Sequence, residues 1–189
     1  MTLYEGHRVE TTRLRGWDYR GRGWYFVTMC TRQHVCTLGK ESGLRIQLSP
    51  IGVAVASELT QIPDHYSTVS VDCYVVMPNH LHAIIVLEGP HVFSPGKRVA
   101  PPVDGPSFPL CAPKAISLAS IVRAYKAGVT RWCRANGYDW FAWQPGFYDR
   151  ILRSNASVNA VRDYIRRNPA NWLLDRDHPC NFSAVQWET

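Results

Sequence analysis

The chain has 189 residues, 46% of them apolar and 19% charged, which suits one packed domain and leaves too little chain for two of ordinary size. This balance excludes a disordered regulator, and the strongest continuous apolar run, Ala83-Ile84-Ile85-Val86-Leu87, falls far short of the roughly 20 residues of a membrane-spanning helix. Lys and Arg number 21 against 15 Asp and Glu, a net charge of +6 with a pI near 9.1, the level at which nucleic acid becomes a candidate partner.

In chain order, residues 1–22 read as a basic arm, and Met1 to Arg15 lacks the apolar stretch of a secretory signal, which predicts a cytoplasmic protein. Gly23 to Thr31 is dense in aromatic and β-branched residues and predicts the first strand. Ser49-Pro50 offers an N-cap and a proline at the first helical position, predicting a helix over about 50–62 that breaks at Pro63. Thr68–Met77 and His80–Leu87 are strand-like runs separated only by Pro78-Asn79, the spacing of an antiparallel hairpin. From 89 to 114, ten of 26 residues are Gly or Pro, which predicts a mobile loop inserted between elements. Leu118, Ile121, Val122, Tyr125, Val129, Trp132 and Cys133 follow helical spacing from Ser117 to about Asn136-Gly137. Tyr148–Arg153 predicts a further strand, and a last helix runs from about Asn155 to Asn168, where Pro169 stops it.

Strand, helix, strand, strand, helix, strand is the order of an α+β, ferredoxin-like (split βαβ, RRM-like) fold, an antiparallel sheet with two helices on one face. The final helix docks elsewhere. The domain is expected over 23–175, with a C-terminal tail over 176–189. The six cysteines are widely spread with no Cys-x-x-Cys pair, and are expected as free buried thiols in a reducing compartment.

His80 and His82 flank Leu81 in a predicted strand, so both imidazoles project to one face, a spacing that suits two ligands of one metal ion or a structural pair. On the last helix Tyr164 and Asn168, four residues apart, share the border of the apolar stripe. A phenol there can serve as a nucleophile and an amide oxygen can serve a hard cation; equally, a tyrosine can snorkel and an asparagine can cap a helix before proline. Of the 21 basic residues only Lys40, Lys97, Lys114 and Lys126 are lysine, and between Lys114 and Arg176 eleven basic residues face four aspartates. Arginine holds phosphate oxygens two at a time, so Arg123, Lys126, Arg131, Arg150, Arg153, Arg162, Arg166 and Arg167 are candidate DNA contacts. Trp24, Tyr25, Trp140, Trp143 and Phe147 could stack on unpaired bases, but most are expected in the core.

Taken together, these runs resemble a known family. Val75-Val76-Met77-Pro78-Asn79-His80-Leu81-His82 looks like the histidine, hydrophobic residue, histidine motif of the single-tyrosine HUH transposases, and Asp163-Tyr164-Ile165-Arg166-Arg167-Asn168-Pro169 looks like the tyrosine helix of their REP-associated branch. Ser117–Lys126 and Trp143–Arg150 are similar to that family's connecting helix and following strand, so the likeness extends from about Trp24 to Trp172. The resemblance implies a bacterial, metal-dependent single-stranded DNA endonuclease and strand transferase acting beside imperfect hairpins, as a monomer or homodimer. It implies Tyr164 as nucleophile, His80, His82 and Asn168 as ligands of Mg²⁺ or Mn²⁺, and a 5′-phosphotyrosine intermediate. One position departs from the family's pattern: Arg150 stands where a histidine often follows Tyr-Asp, and the 89–114 insertion is longer than usual. Two alternatives stay open on the residues alone, a catalytically silent hairpin-binding relative and an iron or zinc oxygenase or hydrolase built on the two histidines.

Overall fold

The computed structural model describes residues 17–89 and 116–184. Strand β1 spans Gly23–Cys30 and is followed by a 3-10 turn at Arg32–His34. Then come the short strands β2 (Gly39–Ser42) and β3 (Arg45–Leu48), helices α1 (Pro50–Thr60) and α2 (Ile62–His65), and strands β4 (Val69–Val76) and β5 (His80–Leu87). Helix α3 (Leu118–Ala135), strand β6 (Tyr148–Leu152), helix α4 (Asn155–Arg167), a 3-10 segment at Asn168–Leu174 and helix α5 (Pro179–Ala184) complete the order. The main sheet is antiparallel with strand order β4-β5-β1-β6, the arrangement expected of a split βαβ fold. Strand β5 lies inside it and is buried along its whole length.

Period-two alternation sorts the sheet's side chains between two cores. Tyr25, Val27, Met29, Leu81, Ala83, Ile85 and Leu87 face α1 and α3, whereas Phe26, Ile84, Val86 and Leu152 face Val158, Val161 and Ile165 of α4. A register shift between Val71 and Cys73 moves the phase of β4 by one residue: Val69 and Val71 belong to the first core, Cys73 and Val75 to the second. The same bulge turns Asp72 toward α4, where Arg162 donates to its two carboxylate oxygens at 2.8 and 2.6 Å.

Serines start each long helix. The Ser49 hydroxyl accepts from Gly52 N at 3.1 Å with Pro50 in the first turn, and Ser117 with Ser120 and Ser154 with Ser157 form reciprocal capping boxes. Helix α1 presses so closely on the β1–β2 connection that a Cβ at Gly52 would lie 1.9 Å from the Leu38 carbonyl oxygen. Only glycine fits there.

Three expectations change. Pro63 does not end the first helix; the break falls at Gln61, and Pro63 sits in the first turn of α2, where its missing N–H is not needed. Pro169 ends α4 at Arg167 but then opens the 3-10 segment, so the chain turns back over the sheet instead of leaving it. The free cysteines are not uniformly buried: Cys133 is buried, Cys30 and Cys73 are partly so, and Cys36 and Cys180 are exposed. Residues 1–16 of the expected arm, nearly all of the 89–114 insertion, Cys111 and residues 185–189 of the tail lie outside the described residues. Among the described residues no helix is long and apolar enough to cross a membrane.

Candidate active site

His80 and His82 point from β5 to the α4 face, and Leu81 between them is fully buried in the opposite core. Both rings are nearly inaccessible, at 0% and 2% exposure. Their Nε2 atoms face each other at 3.0 Å. Thr28, paired with His82 across β1 and β5, places its Oγ1 2.8 Å from His82 Nδ1.

Asn79 fixes the proton on His80. Its Nδ2 donates to the carbonyls of His34 at 3.0 Å and Asp177 at 2.7 Å, which turns Oδ1 toward His80 Nδ1 at 2.9 Å. That oxygen can only accept, so His80 Nδ1 carries the hydrogen and its Nε2 presents a lone pair to His82. A proton on His82 Nε2 or a divalent cation between the rings satisfies that lone pair. Asp175 Oδ2 lies 4.0 Å from His80 Nε2, and His80, His82 and Asp175 each offer a ligand atom within 4.8 Å of the others. Burial lowers the pKa of both imidazoles, which keeps the rings neutral and able to ligate.

Asn168 joins this group through Asp175, to which its Nδ2 donates at 3.1 Å, leaving its own Oδ1 buried with no hydrogen-bond partner. Two imidazole nitrogens, a carboxylate and an orphaned amide oxygen fit a divalent cation. Tyr164 comes from α4, one turn before Asn168. Its hydroxyl lies 3.2 Å from His82 Nε2, and its ring stands edge-on to Phe26 with centroids 6.0 Å apart. Burial, with Asp175, raises the phenol's pKa, while the Asn168 side chain pulls it the other way. The tyrosine is nevertheless 45% exposed. It borders an open cleft of about 530 Å³ lined also by Asp163, Arg167, Asn168, Asp175 and Arg176.

The structure thus brings together His80, His82, Tyr164 and Asn168. Asp175, Asn79, Thr28 and Arg176 were not singled out in the sequence. Asn79 carried a signal, since it precedes the first histidine in a tight connection, but a turn explains an asparagine equally well. Asp175 carried none, because only the 3-10 segment after Pro169 returns it to the histidines.

The candidate basic residues divide. Arg123, Lys126 and Arg131 lie on α3, which packs on the sheet face opposite Tyr164. Lys126 is engaged: its ammonium donates to the Gln144 carbonyl at 2.8 Å and to that of Gly146, and burial lowers its pKa to about 8. Arg150 and Arg153 are exposed on and just beyond β6, and Arg153 lies over the Trp17 ring. On α4, Arg162 is paired with Asp72, Arg166 lies 3.4 Å from Asp163, and Arg167 lines the cleft. Of the aromatics, Tyr25 and Trp143 are core, Trp24 and Phe147 are partly buried, and Trp140 is 63% exposed.

This sheet, with its histidine pair beneath a tyrosine-bearing helix, has the fold of a REP-associated tyrosine transposase solved bound to a REP hairpin: the TM-score is 0.52 at 20% identity, over 86% of this chain and 74% of that one. No family profile matches the chain. An uncharacterized protein of Haemophilus influenzae is 34% identical over 179 residues, 90% of this chain and 93% of the relative, and the chain belongs to the same family as that protein.

Proposed function

We propose that the protein is a metal-dependent single-stranded DNA endonuclease and strand transferase, a transposase of the HUH tyrosine type, acting beside imperfect hairpins. The observation that carries this reading is the Tyr164 hydroxyl 3.2 Å from His82 Nε2, at the mouth of a cleft over the His80–His82–Asp175 group. The solved transposase of the same fold was bound to a REP hairpin, which supports a hairpin as substrate here.

His80, His82, Asp175 and Asn168 would hold the cation, Mg²⁺ or Mn²⁺ in this reading, and the bound ion supplies positive charge for the non-bridging oxygens of the scissile phosphate. Tyr164 Oη attacks the phosphorus; the Oη–P bond forms, the P–O3′ bond breaks, and the leaving 3′ oxygen ends as a hydroxyl. The product is a 5′-phosphotyrosine. Rejoining is the reverse attack by a 3′-hydroxyl, so the bond energy is kept and no nucleotide is consumed. Because the phenol's pKa is raised, Tyr164 holds its proton at neutral pH and gives it up at the reaction step, with His82 within reach. Arg167 and Arg176, which line the cleft with Tyr164, would hold flanking phosphates.

Incubation with Mn²⁺ and hairpin oligonucleotides from the palindromes flanking its own gene tests the reading on a denaturing gel. A protease-sensitive DNA adduct is expected with the wild type, and none with Tyr164→Phe, which still binds the hairpin. Hairpin binding by the wild type with no adduct would replace this reading with that of a silent hairpin binder.

A further inference from the structure

Cys30, His34 and Asp177 form a second group of ligating atoms, beside the histidine pair but sharing no residue with it. Cys30 ends β1 directly across the strand pair from His80, His34 ends the 3-10 turn that follows, and Asp177 stands two residues after Asp175. A sulfur, an imidazole nitrogen and a carboxylate oxygen from the three lie within 4.8 Å of one another. His34 Nδ1 is 3.7 Å from Asp177 Oδ1. Asp177 is only 8% exposed, and its Oδ2 accepts no hydrogen bond, although the Arg176 guanidinium lies 3.6 Å away.

The turn that delivers His34 holds Gln33 and His34 at φ 56° and 53°, two successive left-handed residues that both carry a Cβ. Something must hold that backbone. Asn79 contributes, since its amide donates to the carbonyls of His34 and Asp177, the same two residues whose side chains converge.

We propose that Cys30, His34 and Asp177 constitute a second metal site, for Zn²⁺ or a similar borderline-soft ion, that fastens the 31–35 turn to the 175–177 segment. A thiolate, an imidazole and a carboxylate select such an ion over Mg²⁺, and three protein ligands leave a fourth position for water. Binding converts the Cys30 thiol to a thiolate and releases its proton to solvent. Burial raises that thiol to about 12, so metal competes with protons there. By fixing His34 and Asp177 the ion fixes both acceptors that orient Asn79, and through Asn79 the ring of His80. The proposal does not depend on the role given to Tyr164.

Cobalt(II) is the probe, because a sulfur-to-cobalt charge-transfer band in the near ultraviolet requires a thiolate ligand and the His80–His82–Asp175 site has none. Added to the metal-stripped full chain, one equivalent of Co²⁺ is expected to produce the band and one equivalent of Zn²⁺ to remove it. The band should be lost in Cys30→Ser, lost or greatly weakened in His34→Ala, and kept in the double variant His80→Ala, His82→Ala. Absence of the band from the wild type, or its survival in Cys30→Ser, would overturn the proposal. Should Cys30→Ser fail to fold, His34→Ala decides on its own, since it alters an exposed turn: an undiminished band in that variant rejects the site.

Discussion

Asn79 makes three polar contacts at once, and each constrains a different part of the molecule. Two hold the carbonyls of His34 and Asp177, and the third sets the His80 tautomer that leaves Nε2 free to ligate. Asn79→Ala and Asn79→Asp are therefore both expected to weaken Mn²⁺ binding, by about 10- to 100-fold in calorimetric titration, since a carboxylate cannot donate to the two carbonyls. An unchanged affinity would remove Asn79 from the account. The histidines add a pH dependence. Burial lowers their pKa in the folded protein, so as pH falls below about 6.5 the unfolded chain takes up protons first. The stability carried by the neutral rings is full above that pH and is lost below it. In metal-free buffer the urea midpoint should fall on acidification, and fall less in a His80→Gln, His82→Gln variant. The histidine pair could be read from the sequence because alternation in a strand is a local rule. Asp175 and Thr28 could not, because each reaches the rings through pairing or chain reversal over a long sequence separation.

At the scale of elements, the close approach of α1 to Leu38 makes Gly52 a position where a single methyl group has nowhere to go. Gly52→Ala should cost about 1–3 kcal/mol, the usual range for overpacking, and lower Tm by several degrees in a thermal melt. A variant that melts with the wild type would mean that the helix can shift outward. Caps and breakers made α1, α3 and α4 readable to within a residue or two, since Ser49-Pro50, Ser117 and Ser154 act locally. The β2–β3 hairpin went unread for an equally physical reason: Lys40-Glu41-Ser42 is polar, the strands are four residues long, and their turn is marked only by Gly43 at φ 61°. Pro169 misled differently, because proline stops an α-helix yet suits the first turn of a 3-10 one. That continuation carries Trp172 to within 5.8 Å of the His80 ring and Asp175 to the site.

For the whole molecule, the strand order followed from the order of elements, but the distribution of charge did not. Basic residues that read as one face along the chain fall on both sides of the sheet, with α3 on one and α4 on the other. Hairpin binding should weaken as salt rises. Arg167→Gln and Arg176→Gln, altering cleft residues, should each reduce the log–log salt slope by about one, whereas Lys126→Gln should leave it unchanged because that ammonium is held by two carbonyls. The reverse pattern would place the nucleic acid on the α3 face. The central claim is that Tyr164 joins covalently to DNA, and mass spectrometry of the trypsin-digested adduct tests it directly. Cleavage after Arg162 and Arg166 isolates Asp163-Tyr164-Ile165-Arg166, and the account predicts that this peptide carries the nucleotide through its phenol. A nucleotide on any other residue, with this peptide unmodified, would contradict it.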